Sequence, residues 1–107
     1  MTTEQLQSAL HLEALCLADG TRAVTGWYAG DIPGRAMARV SAGDAWITVA
    51  ANENTIAVAV LVNAACVILA EDVAVSPEVL AKAQAHGVNL FRSGQTAYAL
   101  CHAQLSL

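Results

Sequence analysis

The sequence predicts an α/β domain, a mainly parallel sheet flanked by helices on both faces. Three observations lead there. Gly43 to Ala50 and Cys66 to Ala70 are near-continuous apolar runs, the pattern of strands buried on both faces, as in a parallel sheet. Between them, Ala51 to Ala65 is long enough for the helical crossover that a parallel pair requires. From Gly43 onward the pattern then repeats as strand, helix, strand, helix, strand, helix. With 107 residues and no segment that reads as a linker, one domain spanning residues 1–107 is expected.

Each element has its own local signal. Thr2 and Gln5 stand at capping-box spacing, and Leu6 and Leu10 share a face, so a first helix is expected over about Thr3 to Leu12. Ala14 to Leu17 is a short apolar run closed by Asp19-Gly20, a strand before a turn. Arg22 to Tyr28 alternates in part and reads as a second strand. Asp31 is a suitable N-cap for a helix with Pro33 in its first turn, and Met37 and Val40 would form its inner face. Ser76-Pro77-Glu78 is a strong helix start, with Gly87 where a C-terminal glycine belongs. Val88 to Phe91 gives the last strand. A final helix runs from about Thr96 to Ser106, with Tyr98, Cys101 and Leu105 on one face.

The composition excludes several functions. Net charge is −4, Lys82 is the only lysine, and the four arginines do not cluster. Nucleic-acid and membrane-surface binding both need a basic face, so neither is expected. The longest apolar run, Ile56 to Val62, is far short of the ~20 residues that span a bilayer. The first residues are polar and acidic, unlike a signal peptide, and a cytoplasmic location is expected. Cys16, Cys66 and Cys101 are odd in number and widely spaced, as buried free thiols are. His11, His86 and His102 offer no His-x-x-x-His spacing, so no metal and no cofactor are expected. Cys101 and His102 point about 100° apart on a helix, the wrong geometry for a nucleophile and its base.

Right-handed crossovers would place loops 48–55, 71–76 and 92–96 along one sheet edge. Ligands bind there in folds of this class. Thr48, Asn52, Asn54, Glu71, Arg92, Ser93 and Thr96 are therefore the candidate ligand-binding residues. Asn52 and Asn54 open a helix whose free N–H groups suit a phosphate or carboxylate, with Arg92 as counter-charge. Against this, Asn52 or Asn54 serves equally as a plain N-cap, and Glu53 already places negative charge there. Ile56 to Val62 is apolar all round, so one face must meet other helices or a second protomer. Val58 and Val62 are the candidate interface residues, and only 13% of residues are charged, which also fits a covered surface.

These elements together resemble the DRTGG domain family. The resemblance rests on Gly30-Asp31, Gly43-Asp44-Ala45-Trp46-Ile47-Thr48, Asn52-Glu53-Asn54 and Cys66-Val67-Ile68-Leu69-Ala70-Glu71. Pro77-Glu78-Val79-Leu80, Gly87-Val88 and Thr96-Ala97-Tyr98 fit the same pattern. The literal pentapeptide is absent, and Asp31-Ile32-Pro33-Gly34-Arg35 lies in its neighbourhood. The family implies a domain found beside the kinase domain of HPr kinase/phosphorylase, in some phosphotransacetylases, and with CBS domains in regulated pyrophosphatases. It also implies stand-alone members, the closest match, often near iron-only hydrogenase genes. In the larger proteins the chemistry belongs to the attached domains, so no catalytic residue carries over. The chain also has no Gly-x-x-x-x-Gly-Lys-Ser/Thr loop for kinase chemistry.

The resulting expectation is a non-enzymatic regulatory or interaction module. It would be a homodimer that binds a partner protein or a small anionic metabolite. Two alternatives stand beside it: a small enzyme acting in the same cleft, and an accessory protein linked to iron-only hydrogenase.

Overall fold

The computed structural model describes residues 1–107, and ten elements follow one another along the chain. They are α1 (Thr3–Ala9), β1 (Glu13–Cys16), β2 (Gly26–Ala29), α2 (Pro33–Arg39) and β3 (Asp44–Thr48). Then come α3 (Glu53–Val62), β4 (Cys66–Leu69), α4 (Pro77–His86), β5 (Leu90–Arg92) and α5 (Ala97–Gln104). One five-stranded sheet has the order β1-β5-β4-β3-β2. Strands β2 to β5 are mutually parallel, and β1 closes the far edge antiparallel to β5. This is the mainly parallel α/β sheet expected from the two buried runs.

Strand order in the parallel part follows chain order, so right-handed crossovers stack α2, α3 and α4 on one face. Because successive strand residues point to opposite faces, Trp46, Val67, Leu69 and Leu90 meet Ile56, Val58, Ala59, Val79 and Ala83 in one core. Ala45, Ile47, Cys66, Ile68 and Phe91 meet Leu6 of α1 and Leu100 of α5 in the other. Both strand runs are buried along their whole length, which is why neither alternates in sequence. Each large side chain removed from water contributes about 1.5–3 kcal/mol. Trp46 is fully buried, and its indole N–H donates to the Gly30 carbonyl at 2.9 Å.

Several local expectations are corrected. The first helix ends at Ala9, and His11 (φ 54°) turns the chain so that Leu12 still reaches the core. β2 is shorter than the alternating run, because the backbone of residues 22–25 bonds instead to Met1, Thr3 and Gly43. Ile32, not Asp31, occupies the N-cap of α2. The inner face of that helix is Ala36 with Val40, while Met37 stands exposed. β5 starts at Leu90, after Val88 and the buried Asn89. On α5 the inward residue is Leu100, and Tyr98 and Leu105 point outward.

Two helix ends show how sequence sets length. Ser76 caps α4 through the Val79 amide, and Gly87 ends it in the left-handed conformation (φ 67°). Asn63 does the same for α3 at φ 59°, using asparagine's tolerance of that region. Gly43, at φ 89°, leads into β3 at a point where any side chain would strike that of Thr25. No helix is long and apolar enough to cross a membrane.

Candidate functional site

The parallel strands bring the loops after β2, β3, β4 and β5 to one edge, as expected from the crossovers. At this edge β4 leads to α4 on one face of the sheet and β5 leads to α5 on the other. Adjacent loops that diverge in this way leave a crevice that commonly holds ligands. Here the crevice is closed by backbone. The Glu71 N–H donates to the Gln95 carbonyl, the Asp72 N–H to the Ser93 carbonyl, and the Ser93 N–H to the Leu69 carbonyl, each at 2.8 Å. These bonds hold Glu71 (φ 61°) and Asp72 (φ 52°) in left-handed conformations that residues other than glycine rarely adopt.

The seven candidate side chains all lie on this edge, and most are already engaged. Thr48 is fully buried; its hydroxyl donates to Asp31 Oδ1 at 3.0 Å and accepts from the Ala50 N–H. Asp31 Oδ1 also accepts from the Val49 N–H at 2.9 Å, so this carboxylate ties the β2 loop to the end of β3. Asn52 Oδ1 accepts from both the amide and the hydroxyl of Thr55, an N-cap for α3. Thr96 caps α5 through the Ala99 N–H, and Ser93 Oγ accepts from the Gln95 N–H. Arg92 reaches across to β1, where Nε and Nη2 donate to the Glu13 carboxylate at 3.0 and 3.3 Å. Its Nη1 donates to the Val73 carbonyl. Hydrogen bonding to Glu13, helped by the charges of Glu13 and Asp72, raises the Arg92 pKa. Asn54 and Glu71 are exposed.

None of the three surface hollows is lined by these residues. Backbone bonds link the loops after β4 and β5, and Thr48, Asn52, Arg92, Ser93 and Thr96 serve as caps and ties. No buried side-chain nitrogen or oxygen lacks a partner. Burial pushes the Cys66 thiol up to about 12 and raises Cys16 as well, the opposite of an activated nucleophile.

The outward face of α3 differs. Val58 is only 4% exposed and Val62 is half-buried, because both pack beneath the helical layer of their own chain. The residues that meet water are Val60 and Leu61, at 43% and 72% exposure. With Ala57, Lys82 and His86 they line a groove of about 380 Å³ between α3 and α4. Two smaller hollows lie elsewhere. One is beside Trp27 and Leu107, and the other is along Tyr98, Cys101 and Leu105 of α5.

Sequence reasoning missed Asp31 as a tie and Glu13 as the partner of Arg92. The first was hidden by its good N-cap chemistry, and the second lies far away in the chain. The outer face of α3 was missed because an all-apolar helix gives no phase. The charged residue Glu53 supplies one, since Glu53, Ala57, Val60 and Leu61 share a face at helical spacing.

Comparison with known proteins adds a family and a fold. The DRTGG domain model matches residues 7–103. Among solved structures, the chain is similar to the CBS and DRTGG domains of the regulatory region of a Clostridium perfringens pyrophosphatase, complexed with its activator, diadenosine tetraphosphate. The TM-score is 0.75 at 12% identity, over 95% of this chain and 45% of that one. The chain thus spans less than half of that structure, and the likeness is one of fold. No curated protein matches.

Proposed function

The chain belongs to the DRTGG domain family, and on that premise we propose that it is a non-enzymatic regulatory module working as a homodimer. Its output is contact with a partner protein or response to a small anionic metabolite. One observation carries the non-enzymatic part: at the sheet edge where a reaction would be expected, Thr48, Asn52, Arg92, Ser93 and Thr96 have their side chains bonded within the fold. An enzyme needs an acid, base or nucleophile converging on open space, and this edge supplies ties and caps instead.

The protein-contact arm is favoured over the metabolite arm. An anion at the start of α3 would compete with Asn52 for the Thr55 amide and would meet Glu53. The metabolite arm draws its support from the similar pyrophosphatase region, whose structure holds a nucleotide activator. A cytoplasmic location belongs to the same reading and is supported by three free cysteines, which persist where thiols stay reduced.

Two measurements test the proposal. Light scattering at micromolar concentration should report about twice the 11.1 kDa chain mass, and a strictly monomeric protein would remove the homodimer. With ATP and magnesium the protein should neither hydrolyse the nucleotide nor phosphorylate a partner. Turnover that disappears in Asp31→Ala, Asp44→Ala or Glu71→Ala would overturn the non-enzymatic reading.

A further inference from the structure

Resting on the partner-protein reading, we infer that the open edge of β2 takes an extended segment of another protein, added antiparallel as a sixth strand. That segment alternates apolar and acidic side chains.

The backbone of β2 calls for a strand. It ends the sheet, and its pairing with β3 is regular from Gly26 to Ala29. The Gly30 N–H donates to the Ile47 carbonyl, so by alternation Gly26 and Tyr28 also turn their backbone groups towards β3. The N–H and carbonyl groups of Trp27 and Ala29 then point away from the sheet, and no other group of the chain bonds them. Such edges are normally blunted by a charge, a proline or a bulge. The opposite edge has two of these, because β1 breaks register between Ala14 and Cys16 and carries Glu13. Gly26-Trp27-Tyr28-Ala29 has none. Antiparallel pairing has already begun beside it. Met1–Thr3 lies along residues 22–24, with the Val24 N–H donating to Met1 and the Thr3 N–H to Arg22, each at 2.8 Å.

The side chains beside this edge select what the strand carries. Residues directly opposite one another in an antiparallel pair share a face of the sheet. Tyr28 lies on the α2 face and Trp27 on the α5 face. On α2, Ala36 and Val40 face the sheet, and α3 packs along one flank. The right-handed turn of the helix puts Arg35 and Arg39 on the other flank, above β2. Arg22 and Arg92 hold partners within the fold, in Asn63 and Glu13. Arg35 and Arg39 hold none and are exposed. Acidic residues opposite Tyr28 and Gly26 meet that pair of cations. On the other face, Trp27 lines a hollow of about 290 Å³ with Met1, Val24, Gln104 and Leu107. Apolar residues opposite Trp27 and Ala29 point to that side, while their backbones bond the free groups of β2. A second copy of β2 is the wrong occupant. It would set Arg35 and Arg39 of one chain against the same residues of the other.

The test uses the intact chain and a fluorescent peptide, Val-Glu-Val-Glu between glycine–serine ends, read by anisotropy. The peptide should bind with a dissociation constant below about 1 mM. Three changes should each weaken it about tenfold or more. Lysine in place of both glutamates removes the charge match, and N-methylation of both valines removes the N–H groups facing Trp27 and Ala29. Ala29→Pro removes an outward N–H of β2 at an exposed position, with little change in melting temperature. Arg35→Glu with Arg39→Glu should reverse the preference, so that the lysine peptide binds the better. A glutamate peptide that fails to bind, or binds regardless of Ala29→Pro and N-methylation, would overturn the inference. A native dimer that dissociates with Ala29→Pro would also overturn it, in favour of a second copy at this edge. Use of the chain as bait in a cell lysate separates the inference from its premise. The same protein retained by the native chain and by Ala29→Pro would overturn this edge and leave the partner-protein reading. Retention of none would remove that reading and the inference with it.

Discussion

The carboxyl edge of the sheet and the outward face of α3 are unlike in what they leave unsatisfied. The edge is rich in amides, hydroxyls and charge, yet Thr48, Asn52, Arg92, Ser93 and Thr96 already hold partners within the fold. The α3 face has few polar groups, and it leaves Val60 and Leu61 in water. Residue type suggested the edge as a binding site. Free capacity lies on the helix face. A polar residue marks a site only when its bonding groups are not already used locally, and in small domains caps and ties use most of them.

The largest expected effect separates two positions three residues apart on α3. Val58→Asp buries a charge with no partner and should cost about 3–5 kcal/mol, enough to unfold a domain of this size. Leu61→Asp should stay within about 0.5 kcal/mol of the native chain in urea titration, since its position is exposed. Equal losses at both positions would erase the inside–outside distinction along this helix.

The next effect lies in the core between the two regions. Burial raises the Cys66 thiol from its ordinary value of 9.0 to about 12, so the folded chain holds this proton more tightly than the unfolded one. Its contribution is complete below about pH 9 and is lost as the pH rises towards 12, at about 1.4 kcal/mol per pH unit. Cys66→Ala should therefore flatten the alkaline limb of stability relative to the native chain, and parallel limbs would contradict the assignment.

The smallest effect tests whether the edge is structural. Asn52→Ala removes the cap of α3 and should cost about 1 kcal/mol in a ligand-free melt, and Thr96→Ala the same for α5. A ligand site would give the reverse: no change without ligand, and loss of the thermal shift that phosphate or a nucleotide produces in the native chain.

Much of this architecture was legible in the residues. The buried runs around Trp46 and Ile68 fixed the parallel sheet, and Ser76, Gly87 and Asn52 marked helix ends by chemistry that acts over three or four residues. What escaped notice acts over longer distances or lacks periodicity. Glu13 bonds Arg92 across the β1–β5 pairing, which nothing near either residue announces. Asp31 looked like a cap and instead ties two strands. The seven edge residues lie together at the strand ends that the crossovers predict, but the three backbone bonds across the crevice depend on how the loops after β4 and β5 meet. An all-apolar helix can be rotated either way by sequence alone, so Val58 and Val62 read as interface residues while the structure exposes Val60 and Leu61.

The antiparallel pairing of β1 with β5 carries a consequence for the order of events in folding. Strands β2 to β5 can assemble step by step, each joining the one just before it in the chain. Strand β1 is made first and paired last: Ala14 waits for Phe91, and the Asn89 side chain then bonds both the N–H and the carbonyl of Asp19. Pairing residues so far apart in the chain costs entropy before any contact repays it. Until this pairing forms, the backbone edge of β5 stays open to any other strand, and the interval is when the chain is most exposed to misassembly.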